Sequence, residues 1–186
     1  MCTKRMSGSS IVSRCGWLRG FLLFCVVFAV TSGAANAQHI FWSDFQTKTV
    51  TRADLNGQNR TTIFRNLVDG FGPRGLALDA QSNDVYWIND AAIYRATTEG
   101  EVVHLGTIDL NENDGRYPGA IAVDLAGRLT AGDPKIYFNA GAEQIYRVNP
   151  DGTDLSLLLE FNDDPGVFSL DIDFTHGRLY WSSHDS

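Results

Sequence analysis

Beyond residue 25 the sequence contains no cysteine. Its three cysteines, Cys2, Cys15 and Cys25, all lie near the start of the chain. A chain without them forms no disulfide and depends on packing for its stability. Long hydrophobic runs are absent too, because the longest, residues 21–30, falls well short of the roughly 20 apolar residues that a membrane-spanning helix needs. A disulfide-stapled small domain and a membrane anchor are therefore both disfavoured.

Basic residues are also scarce, with 15 Lys and Arg against 22 Asp and Glu. Residues 1–37 hold four of the basic residues and no acidic one, which leaves 11 against 22 in residues 38–186 and a net charge of −11. Such a surface repels phosphate backbones, so nucleic acid is not expected as a partner.

Residues 1–37 have the pattern of a secretory signal peptide. Basic residues precede the apolar run at residues 21–30, and Ala35-Asn36-Ala37 supplies small residues for cleavage. A transmembrane anchor is the competing interpretation, but Thr31, Ser32 and Gly33 end the apolar run too early. We therefore expect a mature region, residues 38–186, that is secreted or otherwise extracytoplasmic and has no membrane span.

One pattern recurs through the mature region: an apolar strand ending in aspartate, a turn, and a strand with two consecutive aromatic residues. Full copies begin at residues 76, 121 and 170, and a partial copy lies at residues 40–44. Spacings of 45, 51 and 43 residues between corresponding aromatic positions fall in the range of propeller blades. Consecutive side chains such as Tyr86 and Trp87 point to opposite faces of a strand, so both faces need cover, which neighbouring blades provide.

The rest of each copy completes a four-stranded unit. An arginine-bearing strand follows the aromatic strand, then a hairpin with glycine five residues after the arginine, at Gly57, Gly100 and Gly152. The fourth strand is predicted at residues 61–64, 102–105 and 155–159. Proline precedes the next inner strand at Pro73, Pro118 and Pro165, where its missing N–H does least harm. The aspartates that end the inner strands are expected to cap the following turn.

These residues resemble the YWTD-repeat β-propellers of the low-density-lipoprotein-receptor class, from residue 40 to the last residue. The resemblance implies a six-bladed propeller that binds proteins and releases ligands without chemistry of its own. It is carried by Trp42, Asp44, Arg52, Asp79, Tyr86, Trp87, Arg95, Asp124, Tyr137, Arg147, Asp173, Tyr180 and Trp181.

Several positions depart from that family's pattern. Only Asp44 fills the aspartate position, which is occupied by Asn89, Ala140 and Ser183 in the other copies, and Phe138 replaces one tryptophan. A ladder of aspartate and arginine between blades is therefore expected to be incomplete. Residues 129–133 form an insertion in the turn of the third copy.

The predicted fold is all-β: a partial β-propeller of three to four four-stranded blades that forms an incomplete six-bladed ring. A ring at this period needs about 260 residues, whereas residues 38–186 number 149. No inner strand is expected before Ile40 and no arginine strand after Trp181. We expect open blade faces at Phe41 and Trp181, which favour self-association.

No enzymatic motif stands out. The sequence contains no nucleophile elbow, phosphate loop or zinc helix, so we expect neither catalysis nor a cofactor. His39, His104, His176 and His184 occupy unrelated positions in the repeat, which argues against a metal site. Residues 109–115 resemble a calcium loop, but glycine arrives one place late and Ala120 stands where the bidentate glutamate belongs. A solvated loop is the favoured interpretation.

Acidic residues collect on one predicted rim, formed by the loops after the aromatic strands and after the outer strands. The candidate partner-binding residues are Asp69, Asp90, Asp109, Glu112, Asp114, Asp163 and Asp164, with Asp44 and Glu143 nearby. They are opposed by Lys48, Arg65, Arg74 and Arg116. This excess of negative charge would attract a basic patch on a protein partner. The alternative is that the acids only keep an exported protein soluble.

Two functions remain open at this point. The favoured one is a secreted, non-catalytic protein-binding module; the alternative is a propeller hydrolase of the lactonase or gluconolactonase type with a divalent metal in its central channel. The inner strands offer apolar residues such as Leu76, Ile121 and Leu170 instead of metal ligands, which favours binding. Asn59-Arg60-Thr61 is a glycosylation acceptor sequence.

Overall fold

The computed structural model describes residues 14–15, 24–28, 39–67, 70, 72–79, 81–97, 100–109, 118–141, 144–161 and 166–183, with side chains from residue 39 onward. Within these ranges the regular structure is entirely β-strand. No helix in the described part of the chain is long and apolar enough to cross a membrane. The strands are β1 Arg14–Cys15, β2 Phe24–Phe28, β3 His39–Asp44, β4 Thr49–Asp54, β5 Thr61–Arg65, β6 Ala77–Leu78, β7 Val85–Asn89, β8 Ala92–Ala96, β9 Val102–Thr107, β10 Pro118–Asp124, β11 Lys135–Ala140, β12 Gln144–Val148, β13 Ser156–Glu160, β14 Val167–Asp173 and β15 Arg178–Ser183.

The strands form four antiparallel sheets in chain order, which we call blades 1 to 4. Blade 1 contains β1–β5, blade 2 contains β6–β9, blade 3 contains β10–β13, and blade 4 contains β14 and β15. Each strand pairs with its neighbour in sequence, so every blade is a meander, and blades 2 to 4 start at their inner strands. The described sheets do not close into a ring, and the predicted all-β partial propeller is confirmed.

In blades 1 to 3, a glycine with positive φ lies in the hairpin between the last two strands. Gly57, Gly100 and Gly152 have φ values of 79°, 88° and 87°, a backbone region that side chains other than glycine rarely adopt. Near the axis, a Cβ on Gly75 would lie 2.4 Å from the carbonyl oxygen of Gly119. The inner strands of blades 2 and 3 therefore approach too closely for a larger residue.

The core lies between the blades and is built in three similar layers. Between blades 1 and 2, Phe41 packs against Leu76 and Trp87. Between blades 2 and 3, Tyr86 packs with Phe138, and the layer between blades 3 and 4 joins residues such as Ala122 and Leu170. Strands β7 and β11 are buried along their whole length, as the paired aromatic residues predict.

The expectation that Phe41 lies on an open face is wrong, because its side chain is completely buried. The first aromatic residue of each pair faces the following blade and the second faces the preceding one, as Tyr86 and Trp87 show. Phe41 holds the first position and so faces blade 2. Trp181 is 41% exposed, in agreement with its prediction.

The expectation that no inner strand precedes Ile40 is also wrong. Strand β2 pairs with β3 from Phe24 opposite Asp44 to Phe28 opposite Ile40, in the inner position of blade 1. Valine and phenylalanine favour strands, and the open edge of β3 offers unpaired backbone groups. Blade 1 thus has five strands, where three were expected from residue 40 onward, while the two described strands of blade 4 agree with the expectation. The signal peptide at residues 1–37 stays a prediction, because strand pairing does not report on cleavage.

Candidate partner-binding rim

The strand directions bring two kinds of loop to one end of the blades. The turns after β3, β7 and β11 lie beside the segments that leave the outer strands. The backbone N–H of Asn66 donates to the carbonyl of Lys48 at 2.9 Å, and that of Ile108 donates to Ala91 at 2.7 Å. We call this end the upper rim; its described residues are 45–48, 66–67, 70, 72–76, 90–91, 108–109, 141, 161 and 166. The opposite end, with the hairpins and the turns after the inner strands, is the lower rim.

The described acids of the upper rim differ in what they contact. Asp44 accepts hydrogen bonds from the backbone N–H groups of Gln46 and Thr47, both at 2.9 Å. Asp90 accepts from the side-chain amides of Asn66 and Asn89 at 3.3 and 3.2 Å. These two carboxylates therefore hold turns together.

Asp109 is exposed on the upper rim, two residues after the end of β9. Among the candidate rim acids that the structure describes, Asp109 is the one whose exposed side chain can contact a partner. The other candidates, Asp69, Glu112, Asp114, Glu143, Asp163 and Asp164, lie outside the described residues, as does Arg116.

The basic residues of this end are partly engaged with the protein itself. The guanidinium of Arg74 lies 4.8 Å from the ring centre of Phe45, a cation–π contact. The backbone carbonyl of Arg74 accepts a hydrogen bond from Ser43 Oγ at 3.0 Å, which ties blade 1 to blade 2. Lys48 is half-buried and Arg65 is exposed.

On the lower rim, the aspartates that end the inner strands accept backbone hydrogen bonds from the turns that follow. Asp124, fully buried, accepts from Arg128 and Leu129 at 2.9 and 2.7 Å. Asp79 and Asp173 accept from backbone groups two and three residues later. A hydrogen bond from the His176 side chain, with backbone bonds added, lowers the pKa of Asp173. This pattern is turn capping.

A buried lysine on the lower rim was missed by sequence reasoning. The Lys135 side chain is 4% exposed, and its Nζ lies 2.8 Å from Asp154 and 2.9 Å from Asp133. Nζ also donates to the side chain of Asn149. Hydrogen bonds to Asp154 and then Asp133 raise the pKa of Lys135, and the bond from Lys135 lowers the pKa of Asp154. The one available signal was lysine at the repeat position that holds Asp84 in blade 2.

Blades 3 and 4 are joined by two further contacts that the sequence did not predict. Asn139, 4% exposed, accepts from the backbone N–H of Ala120 at 2.5 Å and donates to the carbonyls of Gly141 and Val167 at 2.8 and 2.9 Å. Next to the insertion at residues 129–133, the Arg128 guanidinium lies 5.1 Å from the ring centre of Phe174. The insertion therefore lies beside a contact that ties blade 3 to blade 4.

The repeat arginines bond within their own blades where contacts are described. Arg95 lies 3.7 Å from Asp84, and Arg147 donates from Nε to Ser156 Oγ at 3.0 Å. Burial raises the pKa of Asp84, and the charge of Arg95 opposes that shift. Burial likewise raises the pKa of Tyr86, with the Asp84 charge adding to it.

In the described part of the chain, no three His, Cys, Asp or Glu side chains lie close enough together to hold a metal ion. His39 lies 3.4 Å from Asp54, and His176 lies 2.7 Å from Asp173. His104 packs on Tyr94, with ring centres 5.3 Å apart. His184 and residues 110–115 of the calcium-like loop are outside the described residues.

Residues 38–80 match the low-density lipoprotein receptor repeat class B. The class B repeat runs from β3 to β6, so it covers three strands of blade 1 and the inner strand of blade 2. The resemblance predicted from the repeated residues is confirmed.

Two solved structures share the fold. A chain in the crystal structure of a nidogen/laminin complex superposes with a TM-score of 0.55 and 24% identity, covering 78% of this chain and 52% of that one. A gluconolactonase from Xanthomonas campestris superposes with a TM-score of 0.50 and 16% identity, covering 80% of this chain and 52% of that one. The chain thus spans about half the length of both. At these identities the likeness shows the β-propeller fold alone.

Proposed function

We propose that this chain is an exported, non-catalytic module that binds a protein partner through its upper rim. The observation that carries the proposal is the placement of acidic side chains. Lower-rim carboxylates such as Asp124 and Asp154 are engaged in turns and with Lys135. Asp109 is exposed on the upper rim, among segments with more acids than bases. Exposed acids of this kind accelerate the encounter with a basic partner.

Two further observations support this function. The match of residues 38–80 to a low-density lipoprotein receptor repeat supports a receptor-like module. A chain from a nidogen/laminin complex, a protein assembly, shares the fold. Export rests on the basic and apolar pattern of residues 1–37.

A capture experiment tests the binding function. The full chain is immobilised and exposed to extracellular fluid from its source organism, and bound proteins are eluted with salt. A second column carries the upper-rim variant Asp109→Lys, Asp163→Lys, Asp164→Lys, and a third carries Glu101→Lys, a charge reversal at an exposed lower-rim residue. We expect a basic protein on the first and third columns and its loss from the second. Equal capture on all three would contradict the proposal.

A hydrolase with a channel metal is the second candidate, favoured by the gluconolactonase that shares the fold. Such a site needs oxygen and nitrogen ligands that converge at the axis. The described inner strands instead carry buried apolar residues such as Ala77, Ile121 and Val123 there. Metal analysis of the purified chain discriminates the two functions. One tightly bound divalent ion per chain, together with lactone hydrolysis, would reverse the ranking.

We also propose that copies of the chain associate through exposed apolar faces. Trp181 is 41% exposed and Leu157 on β13 is 48% exposed. The outer edge of β15 has no strand beside it among the described residues. Apolar faces and open strand edges of this kind favour association. Light scattering at micromolar concentration should detect oligomers or aggregates, whereas a soluble monomer with a cooperative melt would refute the idea.

A further inference from the structure

We propose that Asn59 is a site of N-linked glycosylation on the lower rim. Asn59-Arg60-Thr61 is the one Asn-X-Ser/Thr sequence in all 186 residues that has no proline at its centre. This sequence is the acceptor for oligosaccharide transfer in the secretory pathway. The inference rests on the proposed function in one respect, because the chain must be exported to meet the enzyme.

The acceptor lies in the hairpin between β4 and β5, where a glycan has room. Asn59, Arg60 and Thr61 are all exposed. Asn59 has a φ of 52°, which places it in the left-handed region that asparagine tolerates in turns. An exposed turn residue of this kind can project a bulky sugar into solvent without displacing packed side chains.

The hairpins of blades 1 and 3 differ at this point. In blade 3, a Cβ on Gly152 would lie 2.5 Å from the carbonyl oxygen of Thr107 in blade 2, so that hairpin is packed against its neighbour. In blade 1, the nearest atom to a Cβ on Gly57 is Arg60 Nη2 of the same hairpin, at 4.0 Å. Among the described residues, no neighbouring blade approaches the blade 1 hairpin at Gly57 on the side that blade 3 uses for packing.

The residue at the acceptor position also differs. Two residues after the hairpin glycine, blade 3 carries Asp154, which Lys135 holds at 2.8 Å. Blade 1 carries Asn59 there, and its Nδ2 donates to Asp54 Oδ2 at 2.6 Å. Blade 1 thus has the exposed Asn59 at the repeat position where blade 3 has Asp154, which is held by the buried Lys135.

The modification is compatible with the folded hairpin. Transfer from a polyisoprenyl diphosphate-linked oligosaccharide forms a bond between Asn59 Nδ2 and the anomeric carbon. The bond from that carbon to the diphosphate oxygen breaks, the lipid diphosphate leaves with the electron pair, and Nδ2 loses one proton. One N–H remains on Nδ2, so the hydrogen bond to Asp54 can persist in the product. The glycan would then stand on the rim opposite Asp109 and leave the upper rim open.

Cell-free translation of the full chain with microsomes tests the proposal. Protection from added protease reports translocation, and a gel shift removed by peptide N-glycosidase F reports the glycan. We expect one shift for the wild type and for Asn56→Gln, which alters an exposed asparagine of the same hairpin outside the acceptor sequence. Asn59→Gln and Thr61→Ala should each abolish the shift.

The possible failures are distinguishable. A protected chain without a shift would overturn glycosylation and leave export intact. An unprotected chain would overturn both export and glycosylation. A shift that survives Asn59→Gln would show that the assigned site is wrong.

Discussion

Buried amide groups at single positions connect neighbouring blades. Asn139 satisfies one N–H on its own inner strand and one carbonyl on the inner strand of blade 4. Asn89, at the next position of the repeat in blade 2, is buried to a similar degree but has no hydrogen bond to its Oδ1. Two asparagines on adjacent positions of the repeat thus have unequal parts in holding blades together.

We predict that Asn139→Ala lowers the free energy of unfolding by about 3 kcal/mol, because it leaves buried backbone groups without partners. Asn89→Ala is the control and should cost about 1 kcal/mol, since its described bond to Asp90 measures 3.2 Å. Urea denaturation followed by tryptophan fluorescence gives both values. An equal loss in the two variants would contradict the bridging role of Asn139.

The ion pair of Lys135 with Asp154 makes the stability of the fold depend on pH in both the acidic and the basic range. Its pKa is raised from the ordinary 10.5, so its contribution is complete below that pH and is lost as pH rises through the folded value. The pKa of Asp154 is lowered from 3.8, so its contribution is present above that pH and is lost as pH falls through the folded value. We predict that Lys135→Met melts at a lower temperature than wild type between pH 3.8 and 10.5, with the gap in melting temperature narrowing below and above that window. A gap independent of pH would show that packing, and not charge, is the cause.

At the scale of elements, the hairpins act as contacts between blades as well as turns. Gly57 and Gly152 share a positive φ, so alanine strains both by about 1 kcal/mol. Only at Gly152 would the added Cβ also collide with the backbone of blade 2. We predict that Gly152→Ala costs roughly 1–3 kcal/mol more than Gly57→Ala in chemical denaturation. Equal costs would mean that the hairpin of blade 3 does not need its contact with blade 2.

The strands and turns follow from local sequence signals, whereas the contacts between blades do not. Paired aromatic residues, hairpin glycines and capping aspartates are local signals, and the strands at residues 85–89 and 135–140 follow from them. Whether Phe41 is buried depends on which face of blade 1 packs against blade 2. The alternation of side chains along a strand does not reveal this. Lys135 and Asn139 act through partners 14 to 28 residues away, so no spacing rule identifies them. Strand β2 was missed because valine and phenylalanine suit a signal peptide and a strand equally well.

For the molecule as a whole, the two rims have different chemistry. Described lower-rim acids such as Asp124 and Asp154 are held by turn backbone and by Lys135, whereas Glu101 is exposed there. The upper rim exposes Asp109, and the sequence predicts further acids in its loops. Proteins with such a field bind faster when ionic strength is low, because steering acts over about one Debye length. If the partner binds at the upper rim, its association rate constant, and not only its affinity, should therefore depend on the acids of that rim.

The most direct measurement is the association rate constant of the captured partner with wild type, Asp109→Lys and Glu101→Lys at low and high salt. Both variants reverse one exposed acid, on the upper and the lower rim respectively. We predict that Asp109→Lys slows association roughly 3- to 10-fold at low salt and that the difference disappears at high salt. Glu101→Lys should stay close to wild type in both conditions. Equal rates for all three proteins, or a larger effect of Glu101→Lys, would contradict the upper rim as the binding surface.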